Sequence, residues 1–207
     1  MLESLESLKA LEIRFVALNM LTKIVEITSI ILCLVGTLCA IKEKIIGYPI
    51  GITGVGLYVY IFFDAQLYAS AAINLYFVFA GTYGWYCWTQ KKANKSILKV
   101  SYCSKNEYII YSTAIICVYP LLLWGLNKAN APGANLEAFI NSFYIIGMIM
   151  MARKKIENWM TWIIGDLVAI PHYYEQGLTF TALLDIIYIG IAYKGFMDWR
   201  KSYKKHQ

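Results

Sequence analysis

The sequence predicts an all-α membrane protein with seven transmembrane helices. Of its 207 residues, 59% are hydrophobic and only 15% are charged, which is far more apolar than an average soluble domain. The apolar residues also form seven runs, several of which are near the lower limit of about 17 residues for crossing a bilayer. The predicted spans are residues 21–41, 46–63, 68–89, 107–126, 136–152, 158–174 and 178–199.

The segment before the first span, residues 1–20, is expected to form an amphipathic helix on the membrane surface. Leu2, Leu5, Leu8 and Leu11 recur at helical spacing among charged residues. The segment begins with acidic residues, whereas a secretory signal begins with basic ones. A role in binding a partner is the alternative.

The five cysteines predict no metal site. They fall mostly inside apolar runs, at no spacing typical of metal ligands, and are expected to act as small apolar residues. They are Cys33, Cys39, Cys87, Cys103 and Cys117. The chain also lacks a nucleotide-binding loop and a nucleophile elbow, so we expect no cofactor.

The basic residues predict the orientation in the membrane. They concentrate after residues 41, 89, 152 and 199, which places these segments in the cytoplasm. The amino terminus is then outside and the carboxyl terminus inside. Because membrane topology accounts for the net charge of +6, no nucleic-acid partner is expected. The opposite ends of the helices carry Lys9, Arg14, Lys23 and Lys128.

An internal repeat predicts the architecture. After a shift of 111 positions, residues 40–93 lie over 151–204 without a gap. The match predicts two three-helix units, 21–93 and 136–207 with a basic tail, joined by a linker with the fourth helix, 94–135. An odd number of linking helices makes the repeat parallel, and such transporters bind substrate between the halves. The matched pairs include Gly36 and Gly147, Lys44 and Lys155, Gly54 and Gly165, Leu67 and Leu178, Ala71 and Ala182, Gly84 and Gly195, and Trp88 and Trp199.

The sixth predicted span carries the strongest candidate binding residues. Trp159, Trp162 and Asp166 are spaced i, i+3 and i+7, so they share one face of a helix. Two indoles and a carboxylate on one face suit a flat, aromatic, positively charged ligand. A carboxylate inside the membrane is costly and is therefore a functional candidate.

Two further polar residues occupy matching repeat positions in the third and seventh spans, Asn74 and Asp185. Asp166 and Asp185 both lie about 10–12 Å below the outer membrane edge, at about 1.5 Å per residue, so they could face one cavity. The alternatives are an interhelical hydrogen bond for Asn74 and a structural pairing for Asp185. An aspartyl protease dyad is a further alternative, although Ile163 stands where that motif needs glycine.

Pro49 and Pro171, which lie inside predicted spans, are candidate gating joints, because proline kinks transmembrane helices. A static kink is the alternative reading. His172 follows Pro171 and is expected to be a polar residue at the outer membrane interface.

Two motifs resemble those of the Pnu vitamin transporters (PnuC and PnuT). Met151-Ala152-Arg153-Lys154, followed by Glu157-Asn158-Trp159-x-x-Trp162-x-x-x-Asp166, is similar to the sixth-helix signature. Leu67-Tyr68-Ala69-Ser70, with Tyr83-Gly84-Trp85-Tyr86-x-Trp88, is similar to the third-span signature. The resemblance covers residues 25 to 202.

The resemblance implies a SWEET-like arrangement of three, one and three helices. It also implies facilitated diffusion of a water-soluble vitamin across the bacterial inner membrane, with trapping by cytoplasmic phosphorylation. Trp159, Trp162 and Asp166 would bind the substrate, and Asn74 would take the place of a glutamine found in many members. A functional link to a vitamin kinase, without contact, and a homo-oligomer are also expected.

Two departures from the family pattern leave the vitamin open. Members that carry nicotinamide riboside usually have asparagine where Asp166 stands, and an aspartate there is more similar to the thiamine branch. Asp185 stands where an aromatic residue is commoner. Both vitamins carry a cationic aromatic ring, and riboflavin is a further family substrate. A SWEET-type sugar carrier is the alternative.

Overall fold

The computed structural model describes residues 2–65, 68–90, 98–177 and 179–205. These residues form seven helices and an isolated β-bridge between Ser101 and Lys155. The predicted all-α fold is therefore confirmed. The predicted pair of Leu67 and Leu178 lies outside the described residues. The helices are α1 (Leu2–Ile41), α2 (Gly47–Asp64), α3 (Tyr68–Thr89), α4 (Lys105–Lys128), α5 (Ala134–Ala152), α6 (Asn158–Glu175) and α7 (Thr179–Lys205).

The helix ends follow local chemistry. Helix α4 begins with a capping box, in which Ser104 Oγ accepts from Glu107 N and Ser104 N donates to Glu107 Oε2. Helices α1 and α5 are followed by Glu43 and Lys154, which adopt left-handed conformations with φ of 54° and 53°. Left-handed residues commonly end helices, so these two turns stop α1 and α5 in the same way.

The first helix is continuous across the predicted boundary at residue 20. Helix α1 runs from Leu2 to Ile41, so the segment 1–20 continues as helix into the first span. Its position on the membrane surface stays a prediction.

The two prolines lie at different places in their helices. Pro49 is in the first turn of α2, where the backbone N–H has no intrahelical acceptor and proline costs little. Pro171 is inside α6, which continues through it to Glu175. A proline there removes a helical hydrogen bond, so of the two candidate joints Pro171 is the one that weakens its helix, as Pro120 does in α4.

Length and composition single out three described segments as membrane spans: Met20–Ile41, Lys105–Lys128 and Ala134–Ala152. Helix α4 exposes large apolar side chains such as Ile116, Leu121 and Trp124. Helices α6 and α7 carry Asp166 and Asp185 within their apolar runs, and acidic residues are expected where helices line an interior cavity.

The helices pack in two consecutive groups. Helix α2 packs against α1 and α3, and α6 packs against α5 and α7, while α4 packs against α5. The groups meet where α3 contacts α5 and where α1 contacts α7. At the first of these contacts, Tyr76 Oη donates to the carbonyl of Ile145 at 2.9 Å.

Four aromatic rings cross the interface between the groups at the end where α1 and α5 stop. Tyr48 meets Trp88 edge-on at 4.9 Å, and Trp159 meets Trp199 edge-on at 5.3 Å. The rings of Trp88 and Trp199 lie 6.2 Å apart. We call these four residues the aromatic layer, and it forms part of the buried core.

Candidate functional site

A cavity of about 410 Å³ lies between the two groups of helices. This volume is in the usual range for small-molecule sites, about 300–1,000 Å³. Its lining includes all five residues proposed from the sequence, whereas neither Pro49 nor Pro171 belongs to it. The five are Asn74, Trp159, Trp162, Asp166 and Asp185.

Tyr144, Trp162 and Asp166 form one cluster, which we call the acidic aromatic cluster. Tyr144 Oη donates to Asp166 Oδ1 at 2.5 Å. The rings of Tyr144 and Trp162 stack with centroids 5.0 Å apart and an interplanar angle of 28°. Gly165 allows this arrangement, because a Cβ there would overlap the Tyr144 ring. The cluster therefore presents stacked rings beside a carboxylate.

Trp159 is placed differently from Trp162. It is only 1% exposed and packs in the aromatic layer, over Gly195, where a Cβ would overlap the indole. Most of its ring surface is thus already in contact with protein. Its Nε1 has no hydrogen-bond partner among the described residues, so a donor remains available on this side of the cavity.

Asn74 and Asp185 lie on opposite groups of helices. The Asn74 amide donates to the Ser70 carbonyl of its own helix at 2.9 Å, rather than across to another helix. Asp185 is 8% exposed, and its Oδ2 has no partner within the described residues. The structure therefore records neither of the structural pairings considered for these two residues.

The cavity lining contains two acidic residues, Asp166 and Asp185, and one basic residue, Lys44. Neither Asp166 nor Asp185 takes part in an ion pair in the part of the chain that the structure describes. Asp166 Oδ2 also lacks a hydrogen-bond partner there. Buried charges are normally paired, so a cation is the group that would best complete this cavity.

The unpartnered polar atoms gather at the cavity. Buried polar atoms are usually hydrogen-bonded, and each exception needs an explanation. Among the described residues, most of the exceptions belong to side chains that line this cavity. They are Tyr48 Oη, Trp159 Nε1, Trp162 Nε1, Asp166 Oδ2 and Asp185 Oδ2. A ligand with both donors and acceptors would satisfy them.

A polar network joins the two groups beside the aromatic layer. Lys154 Nζ lies 2.8 Å from Glu43 Oε2 and 4.5 Å from the Trp88 ring centroid. Ser202 Oγ donates to Glu43 Oε1 at 2.6 Å. These contacts close the bundle on the side of the aromatic layer.

The far end of α6 carries a second polar cluster. His172 Nε2 lies 3.3 Å from Glu137 Oε1 and 2.8 Å from Gln176 Nε2. The structure thus buries His172 between α5 and α6, and its place at the outer membrane interface stays a prediction. The sequence expectation missed this because Glu137 is 35 positions away.

The sequence reasoning also missed the tyrosines that line the cavity. They are Tyr48, Tyr58, Tyr144, Tyr173 and Tyr188. One signal was available, because Tyr48 falls on Trp159 when the sequence is shifted by 111 positions. The others were hidden among the chain's 17 tyrosines.

Comparison with known proteins decides the family. The profile of the family described as "Nicotinamide mononucleotide transporter" matches residues 23–201. The chain belongs to this family. Membership confirms the resemblance to the Pnu transporters and makes the chain a multi-pass inner-membrane transporter rather than an enzyme. The aspartyl protease alternative has no support from it.

Relatives agree with membership of the Nicotinamide mononucleotide transporter family. The "Nicotinamide riboside transporter PnuC" of Escherichia coli K12 is 29% identical over 196 residues, covering 81% of this chain and 82% of that protein. The "Riboflavin/roseoflavin transporter RibM" of Streptomyces davaonensis is 26% identical over 148 residues, covering 70% of each.

A solved structure supports the fold of this family member. The crystal structure of the "Vitamin B3 transporter PnuC" superposes with a TM-score of 0.70 at 20% identity. The match covers 97% of this chain and 89% of that one. The seven-helix fold is therefore shared.

Proposed function

We propose that this chain takes up a vitamin with a cationic aromatic ring, nicotinamide riboside or thiamine, by facilitated diffusion across the bacterial inner membrane. Cytoplasmic phosphorylation would then trap the vitamin. The observation that carries the proposal is a cavity in which stacked Tyr144 and Trp162 rings adjoin Asp166, with Asp185 in the same lining. The names of the relatives support a vitamin as the substrate.

The cavity chemistry favours a cation over a neutral ligand. A cation over an aromatic face gains about 0.5–2 kcal/mol, and two carboxylates without basic partners add a further attraction. A neutral sugar would stack on the rings but gain little from the acids, so a SWEET-like sugar carrier is the weaker alternative. Riboflavin could stack but has no permanent charge for Asp166 to balance.

The proposed mechanism is alternating access between two similar three-helix units. In support, contacts in one group recur 111 positions later in the other: Tyr48 with Trp88, and Trp159 with Trp199. The proposal follows the 3+1+3 parallel plan, with α4 as the linking helix and binding between the halves. Rocking of the units would expose the cavity to each side in turn, with Pro171 as the favoured joint and Pro49 in the other unit.

In this proposal the aromatic layer is at the cytoplasmic side, because the basic segments adjoin it. The amino terminus is outside and the carboxyl terminus inside. Fusions of a cytoplasm-active reporter to the carboxyl terminus should be active, and a periplasm-active reporter there should be silent. The reverse pattern would overturn this orientation. The homo-oligomer and the link to a kinase stay predictions.

Calorimetric titration of the purified protein in detergent tests the substrate. The ligands are nicotinamide riboside, thiamine and riboflavin, with nicotinamide and 1-methylnicotinamide, which is methylated on the ring nitrogen, as a pair that differs in ring charge. We expect a cationic vitamin to bind most tightly, and 1-methylnicotinamide to bind about tenfold more tightly than nicotinamide, for about 1.4 kcal/mol of charge interaction. Equal binding of the neutral and cationic members of this pair would contradict the charge argument.

A further inference from the structure

The two halves supply unequal walls to the cavity. One wall is the acidic aromatic cluster of the second half. The residues 111 positions earlier also line the cavity, but from the first half. They are Cys33, Gly51 and Val55. A phenol, an indole and a carboxylate on one side are therefore matched by three small side chains on the other.

The difference lies in side-chain volume, because the helices of both halves approach closely at matching positions. A Cβ on Gly54 would come within 2.9 Å of Cys33 Sγ, and a Cβ on the matching Gly165 would overlap Tyr144. A Cβ on Gly36 would come within 2.9 Å of Gly51 Cα. The helices of the first half are thus not spread apart, and the extra space belongs to the cavity.

Gly51 lines the cavity at this less filled wall. A Cβ on Gly51 would meet only Gly36 Cα, at 4.0 Å, so a side chain at this position has room near the helix. In the second half the same position is filled by Trp162. The first half therefore carries no indole at this position, and its wall of the cavity is less filled there.

We propose that Gly51, with Cys33 and Val55, forms a recess that receives the ligand ring on the side away from Trp162. The recess makes Gly51 a specificity-determining residue, because the volume at this position limits the size of the ring. The side chains of these three residues carry no charge, so they place no ion between the ring and the acids of the other wall. This inference rests on the proposed function and states where in the cavity the ring lies.

Filling the recess tests the proposal directly. The variants are Gly51→Ala and Gly51→Phe, with Gly56→Phe as the matched control. Gly56 is on the same helix, a Cβ there meets nothing within 4 Å, and it is not among the lining residues. Both phenylalanine variants change helix propensity equally, so only the position of the ring differs.

The readout is calorimetric affinity for nicotinamide riboside and thiamine. Gly51→Phe should weaken binding at least about tenfold, Gly51→Ala should weaken it by a smaller factor, and Gly56→Phe should stay within about twofold. Wild-type affinity in Gly51→Phe, while Trp162→Ala loses binding, would overturn the recess and leave the proposed site standing. Wild-type affinity in Trp162→Ala as well would overturn the proposed site itself.

The reactivity of a native cysteine tests the recess in the wild-type protein, so the result does not depend on whether a variant folds. Cys33 lines the recess, whereas Cys117 is exposed on α4 and lies outside the cavity lining. Alkylation of the wild-type protein by N-ethylmaleimide is followed by mass spectrometry at both cysteines. Saturating nicotinamide riboside or thiamine should slow the reaction of Cys33 at least about fivefold and leave Cys117 unchanged. An unchanged rate at Cys33 under saturating ligand would overturn the recess.

Discussion

The two groups of helices resemble each other where they hold the bundle together and differ where they face the cavity. In the aromatic layer, Trp88 donates to the Met151 carbonyl at 3.3 Å, and Trp199 donates to the Ala40 carbonyl at 3.2 Å. Donors and acceptors are both related by a shift of 111 positions. At the cavity, the matching positions instead carry unlike side chains. The comparison indicates that the shared contacts build the frame and that the second group carries most of the recognition.

The largest expected loss of affinity comes from a substitution in the acidic aromatic cluster. Trp162→Ala removes one ring of the Tyr144–Trp162 pair, and stacking on a ligand ring is worth about 1–3 kcal/mol. Because Tyr144 also loses the ring on which it stacks, we expect affinity for the cationic vitamin to fall about 100-fold. Calorimetry measures the loss, and monodispersity on size exclusion checks folding.

The matched control for this substitution is Trp124→Ala. Trp124 is 68% exposed on α4 and does not line the cavity, so its removal should leave affinity unchanged. If both variants bind as the wild type does, the second group is not the recognition wall.

The next largest expected loss of affinity comes from removing the negative charge of Asp166. Asp166→Asn keeps the shape of the side chain and removes its negative charge, so we expect about a tenfold loss of affinity for the cationic vitamin. Asp166→Ala should weaken binding more than Asp166→Asn but less than Trp162→Ala, because it also removes the acceptor of the Tyr144 hydroxyl. Asp198→Asn is the control, since Asp198 pairs with Lys194 on the surface of α7. An Asp166→Asn variant with undiminished affinity would show that shape, rather than charge, governs recognition.

A smaller effect is expected at Tyr144. Tyr144→Phe keeps the stacked ring but removes the donor to Asp166 Oδ1, so the carboxylate is held less firmly and affinity should fall about three- to fivefold. Because the hydroxyl acts through Asp166, the loss should shrink when Asp166→Asn is already present. Fully additive losses in the double variant would argue that Tyr144 contacts the ligand independently.

Substitutions in the frame, by contrast, should lower stability and leave affinity almost unchanged. Lys154→Met removes the ammonium group that pairs with Glu43 and should lower the free energy of unfolding by about 1–3 kcal/mol, because Lys154 is 5% exposed and Glu43 partly exposed. Affinity should change less than about twofold. Thermal unfolding followed by tryptophan fluorescence measures the first effect and calorimetry the second.

Exchanging the charges, with Glu43→Lys and Lys154→Glu together, should recover part of the lost stability. A large fall in affinity without a fall in stability would place this pair in the binding wall instead of the frame.

The helices were predictable because hydropathy is a local property of the chain. The seven apolar runs correspond to α1–α7, although α1 begins much earlier and α7 ends later than expected. Asn74, Trp162, Asp166 and Asp185 were found for a similar reason, since polar and aromatic residues inside apolar runs are costly without a purpose.

The remaining features of the site depend on tertiary packing. The stacking of Tyr144 on Trp162 depends on how closely α5 approaches Gly165, and no local pattern distinguishes Tyr144 from other tyrosines. The pairing of Glu43 with Lys154 joins residues in two polar turns that sequence alone treats as solvated. Such partners are defined only once the two groups have met.

The contacts beside the aromatic layer share one property that affects how the transporter can move. The hydrogen bonds of Trp88 and Trp199, and the bonds of Lys154 and Ser202 to Glu43, each cross from one group of helices to the other. Separating the two groups of helices at these contacts would break all of these hydrogen bonds together. Each freed donor and acceptor would then have to bind water. Packed interfaces of this kind switch between two arrangements rather than deform continuously. If this end faces the cytoplasm, as proposed, release of the substrate into the cell is expected to be an all-or-none step, with the closed form dominant until all of these contacts break.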